Sequence, residues 1–247
     1  MILGIIPARY ASTRFPGKPL VEIAGKSMIQ RVYECAMKSK HLNKVVVATD
    51  DERIVEHVLA FGGEVITTRT DHPSGTDRCF EVVSKMTEQI DYVVNIQGDE
   101  PFLEPEQIDE LAVQCNGENE LITQMIPVTD HAILFDIGEV KIVLNGNREA
   151  LYFTRSVIPF LKGVPQSEWH IHHTYYRHVG MYAYRTDVLS EIARLKPSIL
   201  EMAESLEQLR WLEAGYKIKC IETKFDSHCV DTPDDIDKVL KIKGIIN

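Results

Sequence analysis

Four short apolar runs pace the first half of the chain, at residues 2–6, 44–48, 64–67 and 92–96. They are rich in Val and Ile and nearly continuous in apolar character. That is the pattern of strands covered on both faces, as in a parallel sheet. Helical start and stop signals fall between them. Ser27 with Gln30 three residues on predicts a capping box and a helix to about Ser39. Asp50 or Asp51 caps a second helix running through Leu59 and ended by Gly62-Gly63. Ser74-Gly75-Thr76-Asp77 opens a third through Lys85, and Glu104-Pro105-Glu106 opens a fourth with Pro at its first position. Strand–helix alternation through residue 115 predicts βαβ units and an α/β fold with a mostly parallel sheet flanked by helices.

The rhythm then changes. Residues 139–144, 179–184 and 217–221 read as strands, and 200–212 as one amphipathic helix. Residues 154–177 are irregular, with Pro159, Pro165 and the run His170-Ile171-His172-His173. At that spacing the histidines either bind a metal or sit on a surface loop, and the loop is the favoured reading. No repeat, low-complexity tract or linker marks a second domain. The expectation is one domain over residues 1–247, with 150–215 as an elaboration for a second substrate or a dimer contact.

Composition narrows the partners. The chain has 247 residues, 44% hydrophobic and 26% charged, enough to bury a core without covalent staples. A net charge of -10 argues against nucleic acid or an acidic membrane as a partner, while leaving room for a local basic pocket. Cys35, Cys79, Cys115, Cys220 and Cys229 are odd in number and widely spaced, which argues against a disulfide framework or zinc site. Cys35 falls in a helical pattern and reads as a small apolar residue. The opening Met-Ile-Leu-Gly-Ile-Ile-Pro carries no basic leader and no apolar run of membrane length, so a soluble, cytoplasmic protein is expected.

Against this acidic background, Arg9, Arg14 and Lys18 stand together in a Pro/Gly/Ser loop that directly follows the first strand. Several fixed cations and free backbone N–H groups at a strand end suit a polyanion, here the triphosphate of a nucleotide. Gln97-Gly98-Asp99-Glu100-Pro101 follows the strand at 92–96, at the sheet edge where α/β ligands gather. Asp99 there either ligates Mg²⁺ bridging phosphates or caps the next helix. In Val230-Asp231-Thr232-Pro233-Asp234-Asp235, Thr232, Pro233 and Asp235 are explained by an acidic capping box. Asp231 stands one residue outside the helix. It either reaches into a cleft to share a metal ion with Asp99 or faces the helix dipole.

The chain resembles the 3-deoxy-D-manno-octulosonate (KDO) cytidylyltransferases. The resemblance rests on IIPARYASTRFPGKPL (5–20), VVVATDDERI (45–54), SGTDR (74–78), NIQGDEP (95–101), VKIVL (140–144), ALYFTRSVIP (150–159), RHVGMYAYR (177–185), LEQLRWLEAGYKI (206–218) and VDTPDDI (230–236). These run in family order over almost the whole chain. The first and fourth are shared more loosely with sialic-acid cytidylyltransferases. RHVGMYAYR, LEQLR and VDTPDDI mark the KDO group.

The resemblance implies a nucleotide-diphospho-sugar transferase-like fold, a homodimer, and the Mg²⁺-dependent reaction of CTP with KDO to CMP-KDO and pyrophosphate. It further implies that Arg9, Arg14 and Lys18 hold the triphosphate. The Ala8 backbone, Ser74 and Gln97 read cytosine and ribose, and Asp99 and Asp231 hold Mg²⁺. Arg78, Arg155, His178, Tyr182, Glu207 and Gln208 lie in motifs that line the sugar side. Two features depart from the family. Asp136-Ile137-Gly138-Glu139 replaces an Asn-Pro-Asn-like turn, and Lys162 stands where an arginine is usual after the Ile-Pro dipeptide. Both bear on the sugar, so a related acid such as 8-amino-KDO is an alternative substrate. A non-catalytic nucleotide-binding regulator is a second alternative, weakened by the presence of Lys18, Asp99 and Asp231 together. A glycosyltransferase would want a DxD-like metal motif, which Gln97-Gly98-Asp99 does not supply.

Overall fold

The computed structural model describes residues 1–11, 15–226 and 228–246. The chain forms two compact units, Met1–Val113 with Asp226–Asn247, and Gln114–Phe225.

The first unit holds β1 (Ile2–Ala8), a small hairpin of β2 (Glu22–Ile23) and β3 (Lys26–Ser27), α1 (Met28–Ala36), β4 (Lys44–Thr49), α2 (Glu52–Ala60), β5 (Val65–Thr67), α3 (Gly75–Lys85), β6 (Tyr92–Asn95) and α4 (Pro105–Ala112). Four strands lie in the order β6-β1-β4-β5, all parallel, with Leu3 opposite Lys44 and Ala8 opposite Thr49. Leu3, Ile5 and Ile6 of β1, which point to both faces of the sheet, have no exposed surface, which is what the unbroken apolar runs anticipate for a doubly covered strand. Helix starts follow the predicted caps with one difference. Ser27 Oγ accepts from the Gln30 N–H at 3.2 Å, but the Gln30 side chain donates forward to Glu34 Oε1 at 2.9 Å. The carboxylate one turn on captures the amide, so the box closes in one direction only. Asp51, not Asp50, caps α2, accepting from the Arg53 N–H at 3.0 Å.

The second unit holds β7 (Leu121–Pro127), α5 (His131–Phe135), β8 (Lys141–Leu144), β9 (Ala150–Thr154), α6 (Trp169–His172), β10 (Tyr176–Arg185), α7 (Thr186–Ile192), α8 (Ile199–Glu204), α9 (Gln208–Glu213) and β11 (Ile218–Glu222). Antiparallel pairs β7/β10, β10/β8 and β8/β9 dominate, with β11 parallel to β7. The single amphipathic helix expected at 200–212 is two helices. Ser205 takes φ +54, the left-handed conformation that ends a helix, and α9 starts afresh. Strands β7 and β9 go beyond the predicted set. Thr123 and Gln124 interrupt the apolar run of β7, yet both are fully buried. The Thr123 hydroxyl is spent on the carbonyls of Val179 and Met181, at 3.2 and 2.9 Å, beside a register shift in β10.

The chain then re-enters the first unit through α10 (Pro233–Ile242). Val239 and Leu240 of α10 pack on Ile23, Met28 and Val230, with Phe15 and Phe102 against the same cluster. At roughly 25 cal/mol per Å² of apolar surface buried, such a cluster holds the terminal helix, and Asp231 with it, to the front of the unit.

Candidate functional site

In the first unit, β1 and β6 are neighbours and both run out at one end of the sheet. Their following residues line a cavity of about 380 Å³ with Ala8, Arg9, Lys18, Arg78, Gln97 and Asp99 on its wall. Gly98 permits the close approach of the two loops. A Cβ at Gly98 would stand 2.9 Å from the Pro7 carbonyl oxygen, a backbone atom that cannot step aside. Lys18 is aimed by Gly17, whose φ of +73 starts a short 3₁₀ turn and whose N–H donates to the Tyr10 carbonyl at 2.9 Å.

Lys18 Nζ lies 2.7 Å from Asp99 Oδ2 and 3.3 Å from Asp231 Oδ1. Two backbone devices bring the aspartates together. The Val230 N–H donates to the Asp99 carbonyl at 2.9 Å. Asp235 takes over the capping of α10, accepting from the N–H of Asp231 and both the N–H and hydroxyl of Thr232 at 3.2, 2.9 and 2.8 Å. The hydrogen bond from Lys238, with those of Thr232 and Asp231, holds the Asp235 carboxyl well below the usual range despite some burial. With the cap supplied by Asp235, the Asp231 carboxylate faces the ammonium. Two carboxylate oxygens thus converge on one cation-sized point. That donor set fits Mg²⁺, which takes one or two protein carboxylates and completes its shell with phosphates and water.

The remaining wall is cationic. Arg9 Nη2 donates to the His72 carbonyl. Arg78 is fully buried, pairs with Asp50 Oδ1 at 2.9 Å and donates to Thr68 Oγ1. Burial pulls the Arg78 guanidinium below its ordinary value, and Asp50 works against that shift. Ser74 caps α3 through the Asp77 N–H at 3.2 Å, and its hydroxyl donates to Asp77 Oδ2 at 2.6 Å.

In the second unit, His178 and Tyr182 on β10 stand with ring centres 5.2 Å apart, and Tyr182 meets Trp211 edge-on at 5.1 Å. Thr123 Oγ1 is 2.9 Å from His178 Nε2, and Phe153 lies edge-on to the imidazole. These apolar surroundings push the His178 pKa down to about 3, leaving a neutral ring. Burial, then the nearby Tyr184, Cys220 and Glu207, raise the Tyr182 hydroxyl well above its ordinary value. Arg155 is gripped from the backbone. Its Nε donates to the Glu204 carbonyl at 2.9 Å and its Nη1 to the Ile137 carbonyl at 3.0 Å. Gln208, buried, and Glu207 sit at the start of α9.

A model of the cytidylyltransferase family matches residues 3–218. The 3-deoxy-manno-octulosonate cytidylyltransferase of Cytophaga hutchinsonii is 51% identical over 239 residues, 96% of each chain. That of Parabacteroides distasonis is 52% identical over 243 residues, again 96% of each. The chain belongs to the 3-deoxy-manno-octulosonate cytidylyltransferase family. A solved CMP:2-keto-3-deoxy-manno-octonic acid synthetase complexed with CTP matches this family member at a TM-score of 0.91 and 41% identity, over 99% of this chain and 98% of that one. A 4-diphosphocytidyl-2C-methyl-D-erythritol synthase from Anaerococcus prevotii, 14% identical with a TM-score of 0.63, shares the fold alone. The expected α/β architecture of this cytidylyltransferase is thereby borne out.

Among the residues singled out from sequence, the structure gathers Ala8, Arg9, Lys18, Gln97 and Asp99 on one cavity, with Asp231 joined to it through Lys18. Arg14 lies outside the described residues. Arg78, expected among the sugar-side residues, lines this cavity too, whereas Arg155, His178, Tyr182, Glu207 and Gln208 belong to the second unit. Sequence reasoning missed Asp50, Thr68 and His72, which hold Arg78 and Arg9. Only the Asp50-Asp51 doublet carried a signal: one of the pair caps α2 and the other is released for Arg78. It also missed Lys141, fully buried with its ammonium on the carbonyls of Asp136 and Glu139, inside the stretch that departs from the family pattern.

Proposed function

We propose that this chain transfers the CMP unit of CTP to the anomeric hydroxyl of KDO, giving CMP-KDO and pyrophosphate for lipopolysaccharide biosynthesis. One observation carries the reading. Lys18, Asp99 and Asp231, from three distant segments, meet beside a cavity of about 380 Å³ in a chain 41% identical to a synthetase solved with CTP.

Arg9, Arg14 and Lys18 hold the triphosphate, while the Ala8 backbone, Ser74 and Gln97 select cytosine and ribose. Arg155, His178, Tyr182, Glu207 and Gln208 hold the sugar acid, with Arg155 facing its carboxylate. We assign Arg78 to the nucleotide half, on the strength of its place in that cavity lining. The anomeric hydroxyl gives up its proton to water as its oxygen forms a bond to the α-phosphorus and the bridging oxygen departs with pyrophosphate. Phosphoryl chemistry of this kind asks the protein for alignment and charge neutralisation more than for covalent participation. Lys18 and the arginines meet the negative charge that builds on the departing phosphates. Asp99 and Asp231 would hold Mg²⁺. When bound, Mg²⁺ neutralises phosphate charge and lowers the pKa of the attacking hydroxyl.

We also read the chain as a cytoplasmic homodimer joined through residues 150–215. Support comes from Leu151, Phe160, Ile171, Ile199 and Met202, apolar side chains that are all more than half exposed. No helix among the described residues is long and apolar enough to cross a membrane.

The deciding experiment is pyrophosphate release from CTP with Mg²⁺ and a panel of acidic sugars: KDO, 8-amino-KDO and a sialic acid. Release with KDO is expected to exceed the others. Release with another acid but not KDO overturns the substrate, and no release with any overturns the enzymatic reading. Sedimentation at micromolar concentration tests the dimer, and a monomer there removes it.

A further inference from the structure

Two cations of the nucleotide cavity are held by one strap, residues 67–72, which links β5 to α3. The His72 carbonyl accepts from Arg9 Nη2, and Thr68 Oγ1 accepts from Arg78 Nη1. At its start the strap is tied to the sheet, where the Thr68 N–H donates to the Thr49 carbonyl at 2.8 Å. Its far end is tied to α3 by a single carboxylate. Glu81 Oε2 accepts from the Arg69 N–H at 3.0 Å and pairs with His72 Nε2. Its other oxygen binds Lys85 Nζ at 2.7 Å, and Lys85 in turn donates to the Thr67 carbonyl at 2.7 Å.

Glu81 is only 12% exposed. Burial alone would favour the neutral acid, but Lys85, the Arg69 N–H and His72 together hold the carboxyl at about 2, so it stays ionised at any working pH. A buried charge satisfied by three donors is rigid, and truncating it leaves those donors without their partner. Arg9 itself is exposed on the cavity rim. A long side chain there loses rotamer entropy when fixed, unless a prior anchor has already restricted it. The His72 carbonyl is that anchor, and Glu81 fixes the carbonyl.

We propose that Glu81 is a positioning residue for nucleotide binding: it staples the strap to α3 and so sets Arg9 for the triphosphate. This rests on the reading of Arg9 as a triphosphate ligand. Steady-state kinetics with CTP and KDO on Arg9→Ala, Glu81→Ala, Glu81→Gln and the Arg9→Ala/Glu81→Ala pair test it. Arg9→Ala is expected to raise KM for CTP about 30-fold and Glu81→Ala about 10-fold, with KM for KDO within about 2-fold. Because Glu81 acts through Arg9, the pair should stand within about 2-fold of Arg9→Ala alone. Glu81→Gln keeps an acceptor for the Arg69 N–H and should fall between, near 3-fold. It also preserves side-chain shape should the alanine variant fail to fold. If the two losses multiply, if KM for both substrates rises together, or if Glu81→Gln matches wild type, the positioning role is overturned. If Arg9→Ala leaves KM for CTP unchanged, the triphosphate reading fails first, and the positioning role with it.

Discussion

The two units present their candidate functional residues in different ways. In the first, the functional groups sit on loops at the ends of parallel strands, and backbone contacts fix the loops: Gly98 against the Pro7 carbonyl, Gly17 on Tyr10, Val230 on Asp99. In the second, His178 and Tyr182 project from within an antiparallel strand into a cluster of aromatic rings, and Arg155 is steadied by two carbonyls. The loop-built half suits a ligand that is mostly charge, because a fixed cluster of cations and carboxylates loses little by reorganising when phosphates arrive. The strand-built half suits a sugar acid, whose hydroxyls and ring faces need shape as well as charge.

The sharpest way to break this contrast is Asp99→Ala. If Asp99 serves the reacting phosphates, kcat should fall about 10³-fold, roughly 4 kcal/mol of barrier, with the melting temperature held near wild type. Activity within about tenfold of wild type, about 1.4 kcal/mol, would show that the loop carboxylate has no such role. Next comes Arg78→Met. The side chain is fully buried and its partner Asp50 only 18% exposed, so removing the cation strands a nearly buried carboxylate. A loss of about 3 kcal/mol in denaturant unfolding is expected. A loss below about 1 kcal/mol would mean that Asp50 finds water or another donor once the guanidinium is gone. A smaller effect separates the halves directly. Arg155→Lys gives up the planar fork, and KM for KDO should rise about tenfold while KM for CTP stays within about twofold. A rise confined to CTP would invert the assignment of the second unit.

The same contrast decides what the sequence could disclose. Loop-built features are contiguous: the cations at 9–18, the Gln97-Gly98-Asp99 turn and the capping box after Asp231 each occupy a few neighbouring residues with a local physical reason. They were readable, as were the doubly buried strands of the first unit. What stayed hidden was relational. Gln30 and Ser27 carry a box signature, but Glu34 competes for the amide. Asp50 acquires a role only because Asp51 takes the cap. In the second unit, β7 escapes a periodicity search because Thr123 and Gln124 are buried polar residues, and the partners of Thr123 come from β10, more than fifty positions away. Glu81 and His72 belong to no motif. They matter through a carbonyl, and backbone acceptors leave no mark on a sequence.

The smallest effect tests whether the aromatic cluster of the second unit is as dry as its geometry requires. The ordinary imidazole value is 6.5, and the surroundings of His178 bring it to about 3 through desolvation. Above 6.5 the ring is neutral in folded and unfolded chains alike and contributes no pH dependence. As pH falls from 6.5 toward 3, the unfolded chain takes up the proton and the folded chain does not, so stability drains from the wild type across that window. His178→Gln keeps a hydrogen-bonding group for Thr123 but cannot titrate. Its stability relative to wild type should therefore improve steadily as pH is lowered from 7 to 5.5, by about 0.7 kcal/mol at pH 6 and about 1.3 kcal/mol at pH 5.5. Urea midpoints at matched pH values read this difference while cancelling the titration of every other group. A difference that stays flat with pH would mean that the imidazole is protonated as easily in the folded chain as in water. The strand-built half would then be wet, and the contrast with the loop-built half would lie in topology alone.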